Sequence, residues 1–220
     1  QKGISRRRRD LHQIPELGLH LPETAAYVTT ELDKIGIPYI CSKKDSGIIA
    51  TIKGGKPGKT ICLRADMDAL PIKEETGLPF ASRHEGFMHA CGHDTHITIL
   101  LGTAKVLAAM KDELTVTVRF LFQPAEEEIA NSGATYMKDE PLVKECERLI
   151  ALHIWSKIPV GTASLRYGPV MSAADTFDVY IEGKGGHGAL PHQTIDPIVA
   201  GAEFVNALQT VVSREVNPLE

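Results

Sequence analysis

The chain has 220 residues, 43% of them apolar and 24% charged, with a formal net charge of −4. This composition belongs to a globular chain that buries one substantial core, or one larger and one smaller, and its charge excludes the broad basic surface that nucleic acid requires. No stretch approaches the ~18 apolar residues that cross a bilayer, and the N-terminus lacks the apolar core of a secretory signal; the expectation is a soluble, cytoplasmic protein with no membrane partner, whose beginning at Gln1 rather than Met has been trimmed.

The basic run Arg6 to Arg9, followed by "DLHQIPELG", reads as the end of an exposed helix with a solvated face. Residues 22 to 35, "PETAAYVTTELDKI", carry apolar positions at helical spacing, open with proline and stop at Gly36. "GIIATI" (47–52) and "TICLRA" (60–65) read as short strands joined by a turn dense in Gly, Pro and Lys. Residues 95 to 110 set Ile97, Leu100, Leu101, Ala104 and Leu107 along one stripe, which predicts a helix packed on a sheet. "LTVTVRFLFQ" (114–123) and "RLIALHIW" (148–155) read as buried strands, and the alternation of strands and helices predicts an α/β layered fold. Farther on, residues 175–183 alternate as a half-exposed strand does, and residues 196–214 form a helical pattern with a stripe through Ile198, Ala202, Val205, Leu208 and Val212. Cys41, Cys62 and Cys146 lie in apolar or strand-like sequence without a CxxC pair and read as buried, inert thiols.

In open α/β sheets the ligand site lies beyond the carboxyl ends of the strands. Four segments deliver metal-ligand chemistry there: "RADMDALP" (64–71), "HACGHDTH" (89–96), "QPAEEE" (123–128) and "HIW" (153–155). Singly each has a plain structural reading, since a strand-end histidine is usually a structural one and an acidic run often opens a helix. Together, Asp66, Asp68, Cys91, His93, Glu126, Glu127 and His153 offer the thiolate, imidazole and carboxylate set that Zn²⁺ and related dications prefer. Cys91 and His93, two apart on an extended backbone, would point the same way. Gly92 between them lets the main chain bend close to an ion. Asp94 or Thr95 then caps the following helix, with His96 beside the ligands rather than among them.

"RRDLHQIPELG", "LRADMDALPI", "MHACGHDTH", "FQPAEE", "ALHIW" and "GKGGHGALPHQTIDPI" together resemble the M20 metallopeptidase family, in the amidohydrolase branch of aminoacylases, hippurate hydrolases, N-acetyl amino acid deacetylases and plant auxin-conjugate hydrolases. The resemblance runs from about Arg7 to the end. It implies a Zn-exopeptidase-like catalytic domain over residues 1–170 and the beginning of a smaller α+β lid and dimerisation domain over 171–220. It implies that Cys91, His93, Glu127 and His153 are metal ligands, that Glu126 is the general base, and that Asp68 supports the site without binding the ion. His187 would belong to the lid and reach the reacting carbonyl in a neighbouring subunit. The implied activity is hydrolysis of the amide bond of N-acyl amino acids, with two divalent ions, Zn²⁺ or Mn²⁺ before Co²⁺ or Ni²⁺, in a homodimer.

Two departures qualify the resemblance. "EIANSGA" follows the glutamate pair where the branch has glycines, placing Glu128 and Asn131 beside the base. The family's last histidine ligand and its substrate-carboxylate contacts lie beyond position 220, so the chain reads as the first half of such an enzyme. A metal-binding or regulatory member without catalysis is the alternative. A zinc nucleobase deaminase would need His-x-Glu and Pro-Cys-x-x-Cys segments, and neither is present.

Overall fold

A computed structural model describes residues 2–171 and 175–216. The chain divides into two compact units, Gln1–Arg166 and Tyr167–Glu220. In the first, a five-stranded sheet runs in the order β1-β2-β4-β3-β5, with β1 at Tyr39–Cys41, β2 at Ile48–Ile52, β3 at Thr60–Asp66, β4 at Thr117–Gln123 and β5 at Arg148–Ala151. β1, β2 and β4 pair antiparallel, while β4, β3 and β5 are parallel. The parallel strands therefore send their carboxyl ends to one edge, where the suspected site residues begin.

Helix α1 (Lys2–His12) and α2 (Pro22–Ile35) precede the sheet, and α3 (His93–Ala109) packs on β3. The stripe read on α3 is inside: Ile97, Leu100, Leu101 and Ala104 are buried among Val28, Leu32, Ile48, Met67, Phe120 and Phe122. Burying each such side chain contributes about 1.5–3 kcal/mol. α2 matches its expected span. Its start has no cap from Leu21; instead the Glu16 carboxylate accepts from the main-chain N–H of Glu23 and Thr24, satisfying donors that the helix leaves open. Its end turns on Gly36, whose φ of 79° only glycine adopts without cost.

Several expectations change. The arginine run is on a helix but is not all solvated. Arg7 pairs with Glu31 and Arg8 with Asp94, because α1 and α2 both pack on α3, which brings buried carboxylates within reach. Cys62 is buried and Cys146 half-buried, but Cys41 is exposed on the outermost strand β1. β5 is exposed along its length rather than buried, since it is the other outermost strand and pairs on one side alone. His153 stands two residues past its end.

Two short helices, α4 (Gly133–Met137) and α5 (Pro141–Lys144), lie between β4 and β5 in the first unit; in the second, the long helix among the described residues is α6 (Pro197–Thr210), with Asp196 accepting from Ile198 N at its start. The strand expected over 175–183 does not form among the described residues. A single antiparallel bridge, Lys184 with Ile195, is what remains. A lone extended segment has no second strand to take its hydrogen bonds, so alternation cannot be converted into a ladder. Residues 172–174 and 217–220 of the expected lid lie outside the described residues. No helix among the described residues is long and apolar enough to cross a membrane.

Candidate metal centre

Asp68, two residues past β3, organises the site. Its Oδ1 accepts from Glu126 N at 2.9 Å and its Oδ2 from Glu127 N at 3.0 Å, so one carboxylate fixes the backbone of both glutamates. The Asp68 carbonyl oxygen lies 2.8 Å from His93 Nδ1 and accepts its proton. That bond leaves the lone pair of His93 on Nε2, which faces Asp66 Oδ1, Glu126 Oε2 and Glu127 Oε1, each at 3.7 Å. The glutamates follow a forced turn: Ala125 has a φ of +49°, a conformation that costs a non-glycine residue of order 1–3 kcal/mol.

The CGH segment is not extended as expected. Gly92, at φ 92°, is the residue before α3, and His93 is the first residue of the helix. The sharp bend still turns Cys91 toward His153, with Sγ 3.3 Å from Nε2. A Cβ at position 92 would lie 2.3 Å from Ile154 Cδ1, so glycine also makes room for the segment that carries His153. His153 Nδ1 donates to the carbonyl of Ile154, which frees Nε2.

The structure thus gathers Cys91, His93 and His153 in one group, and His93, Glu126 and Glu127 in a second, with the donor atoms of each group within 4.8 Å of one another. His93 joins the two. A third group, Asp66, His93 and His96, was only half anticipated from the sequence. His187 lies in the second unit, where its Nδ1 accepts from Ala189 N at 3.1 Å.

The electrostatics call for a cation. Burial, then the charges of Glu127, Glu126 and Asp66, push the Cys91 thiol up to about 12. Burial and the nearby Asp66 raise Glu126. Burial would also raise Asp66, but the hydrogen bond from His96 and the charges of His93 and Arg64 hold it at about 2. Burial opposes a charge on His93, yet Asp68 and Asp66 around it prevail and raise its pKa. Within this site the buried atoms His93 Nε2 and Glu127 Oε1 have no hydrogen-bond partner among the described residues. Leaving such groups unmet costs about 1–3 kcal/mol each, more where charged. A divalent ion answers both vacancies in the bonding and stabilises the thiolate, so the residues fit a metal.

The profile of peptidase family M20/M25/M40 matches residues 62–218. The chain is 49% identical over 213 residues to the N-acetyl-L-cysteine deacetylase of Bacillus subtilis, covering 97% of this chain and 51% of that protein. It is 45% identical to the N-acyl-L-amino acid amidohydrolase of Geobacillus stearothermophilus, covering 97% and 57%. The chain spans about half the length of the curated relatives it matches. Among solved structures, a presumed aminohydrolase from methicillin resistant Staphylococcus aureus superposes with a TM-score of 0.81 at 41% identity, covering 98% of this chain and 57% of that one. A dinuclear metal binding peptidase of the M20 family from Bacillus subtilis gives 0.71 at 41% identity, covering 76% and 47%.

Proposed function

Because the chain belongs to peptidase family M20/M25/M40, we propose that it carries the catalytic site of a metal-dependent amidohydrolase acting on N-acyl amino acids. The observation that carries this is the meeting of two donor groups at His93, the second of which includes Glu126, whose backbone Asp68 holds. The relatives named for deacetylation of N-acetyl-L-cysteine and for hydrolysis of N-acyl-L-amino acids supply the substrate class.

Cys91, His93, Glu127 and His153 would hold two divalent ions, for which Zn²⁺ or Mn²⁺ suits the mixed sulfur, nitrogen and oxygen donors. Bound there, such ions supply Lewis acidity that lowers the pKa of water and polarises an amide carbonyl. Glu126 is the base: its carboxylate, raised in pKa by burial and by Asp66, takes a proton from water and returns it to the departing nitrogen. Asp68 keeps that carboxylate on station through the Glu126 N–H. His187, with Nδ1 accepting from Ala189, carries its proton on Nε2 and is ready to donate to a developing oxyanion. In this reading residues 1–170 are the catalytic domain and 171–220 belong to the lid through which a homodimer forms.

Turnover of N-acetyl and N-benzoyl amino acids, measured beside the metal content, tests the proposal. Glu126→Ala is expected to lose rate by about 10²–10⁴-fold while the bound metal stays unchanged. A variant as fast as the parent would overturn the assignment of the base, and a parent that binds metal without turnover would leave a binding module.

A further inference from the structure

His96 is buried in α3, and both of its ring nitrogens are engaged. Nδ1 lies 2.6 Å from Asp66 Oδ1, and Nε2 lies 3.0 Å from the main-chain nitrogen of Ile154. An amide nitrogen only donates, so Nε2 must present its lone pair to Ile154. The proton of the neutral ring is then on Nδ1, where it is donated to Asp66. Neither nitrogen has a lone pair left for an ion. Although Asp66, His93 and His96 crowd within 4.8 Å, His96 is therefore no ligand.

Its partner explains its use. The β3–β5 ladder ends at the pair Arg64 and Ala151, so the sheet does not hold Leu152 to Trp155. His153 must nevertheless meet Cys91. The Ile154 N–H on His96 provides the missing hydrogen bond one residue past His153, and the His96 ring stands edge-on to the His153 ring at 4.6 Å between centroids. On the other side His96 stacks on His93 at 5.4 Å. One imidazole thus spans the ends of β3 and β5, taking over where the ladder stops.

We propose that His96 is a positioning residue that sets where the His153 ring stands, acting through the main-chain N–H of Ile154. The inference rests on the reading of Cys91, His93, Glu127 and His153 as metal ligands. It separates the two arms of the ring. His96→Gln places an amide oxygen near the position of Nε2 and keeps the acceptor for Ile154. His96→Asn keeps a donor for Asp66 and loses that acceptor.

The test is titration of the metal-free chain with Co²⁺ against a competing chelator, following the sulfur-to-cobalt absorption. His96→Gln is expected to stay within about threefold of the parent affinity, whereas His96→Asn and His96→Ala weaken it about 10–100-fold, the usual effect of losing a group that orients a ligand. The number of ions bound does not change. Equal affinity in all three variants, or retention by His96→Asn with loss in His96→Gln, overturns the proposal, as does loss of an ion in every variant. A parent that takes up no cobalt sinks the metal reading instead. The proposal is then decided by hydrogen exchange at the Ile154 amide in metal-free protein, slow in the parent and in His96→Gln and fast in His96→Asn if it is right, alike in all if it is wrong.

Discussion

His12 sits between two carboxylates, with Nδ1 2.7 Å from Asp94 Oδ2 and Nε2 3.3 Å from Glu74 Oε1. Both nitrogens face acceptors, so the doubly protonated ring satisfies both. The hydrogen bond to Asp94 raises its pKa above 6.5, against burial and the charge of Arg8 and with help from the charges of Asp94 and Glu74. A group raised in the folded state contributes stability that is fully present below its unfolded pKa of 6.5 and is lost as pH rises through the folded value. His12 joins α1 to the first turn of α3 and to the loop carrying Glu74, so the loss loosens the helix that bears His93. Thermal unfolding of metal-free protein is expected to show a midpoint that falls as pH rises above 6.5, with a shallower fall in His12→Gln. The same slope in both would remove His12 from the account. Nothing in the sequence singled out this residue, because Asp94 and Glu74 are 82 and 62 positions away and only the packing of α1 on α3 brings them together.

At the level of elements, the α/β order, α2 and the buried stripe of α3 were legible because periodicity and end signals are local. The site was legible in composition but not in geometry. Cys91, His93, Glu126, Glu127 and His153 announce themselves as donors, yet their meeting depends on the parallel register of β3, β4 and β5, which no local pattern encodes. The strand over 175–183 failed for the matching reason, as alternation names a face but supplies no neighbour. Gly92 is where local and long-range demands coincide: its φ of 92° starts α3, and its missing Cβ admits Ile154. Gly92→Ala meets both a left-handed penalty of about 1–2 kcal/mol and Ile154 Cδ1 at 2.3 Å. The metal-free variant is expected to melt roughly 2–8 °C lower, and Co²⁺ affinity is expected to fall as Ile154 is displaced. An unchanged melting point by calorimetry would show that the bend tolerates a side chain.

Across the whole molecule, the first unit carries the groups that could hold metal and the second carries His187, so the question of assembly falls on the second. There α6 leaves Ile198 79% and Val205 56% exposed, with Leu208 also open to solvent, and Val212, in the π-helical turn that follows it, is 75% exposed. Apolar residues spaced along one stripe form a continuous surface rather than scattered exceptions, and such surfaces mark association. The homodimer in the functional proposal would cover this stripe and bring His187 of one chain toward the catalytic unit of the other. Sedimentation of the parent is expected to give a dimer, and the pair Val205→Glu with Leu208→Glu a monomer, because burying a carboxylate without a partner costs more than the contact returns. The proposed metal sites, whose donors all belong to the first unit, should keep their Co²⁺ affinity in that monomer while turnover falls. Losing one oxyanion donor such as His187 costs about 10²–10³-fold in comparable sites, so a monomer that turns over as fast as the dimer would separate His187 from the chemistry. A monomeric parent would remove the stripe as an interface between copies.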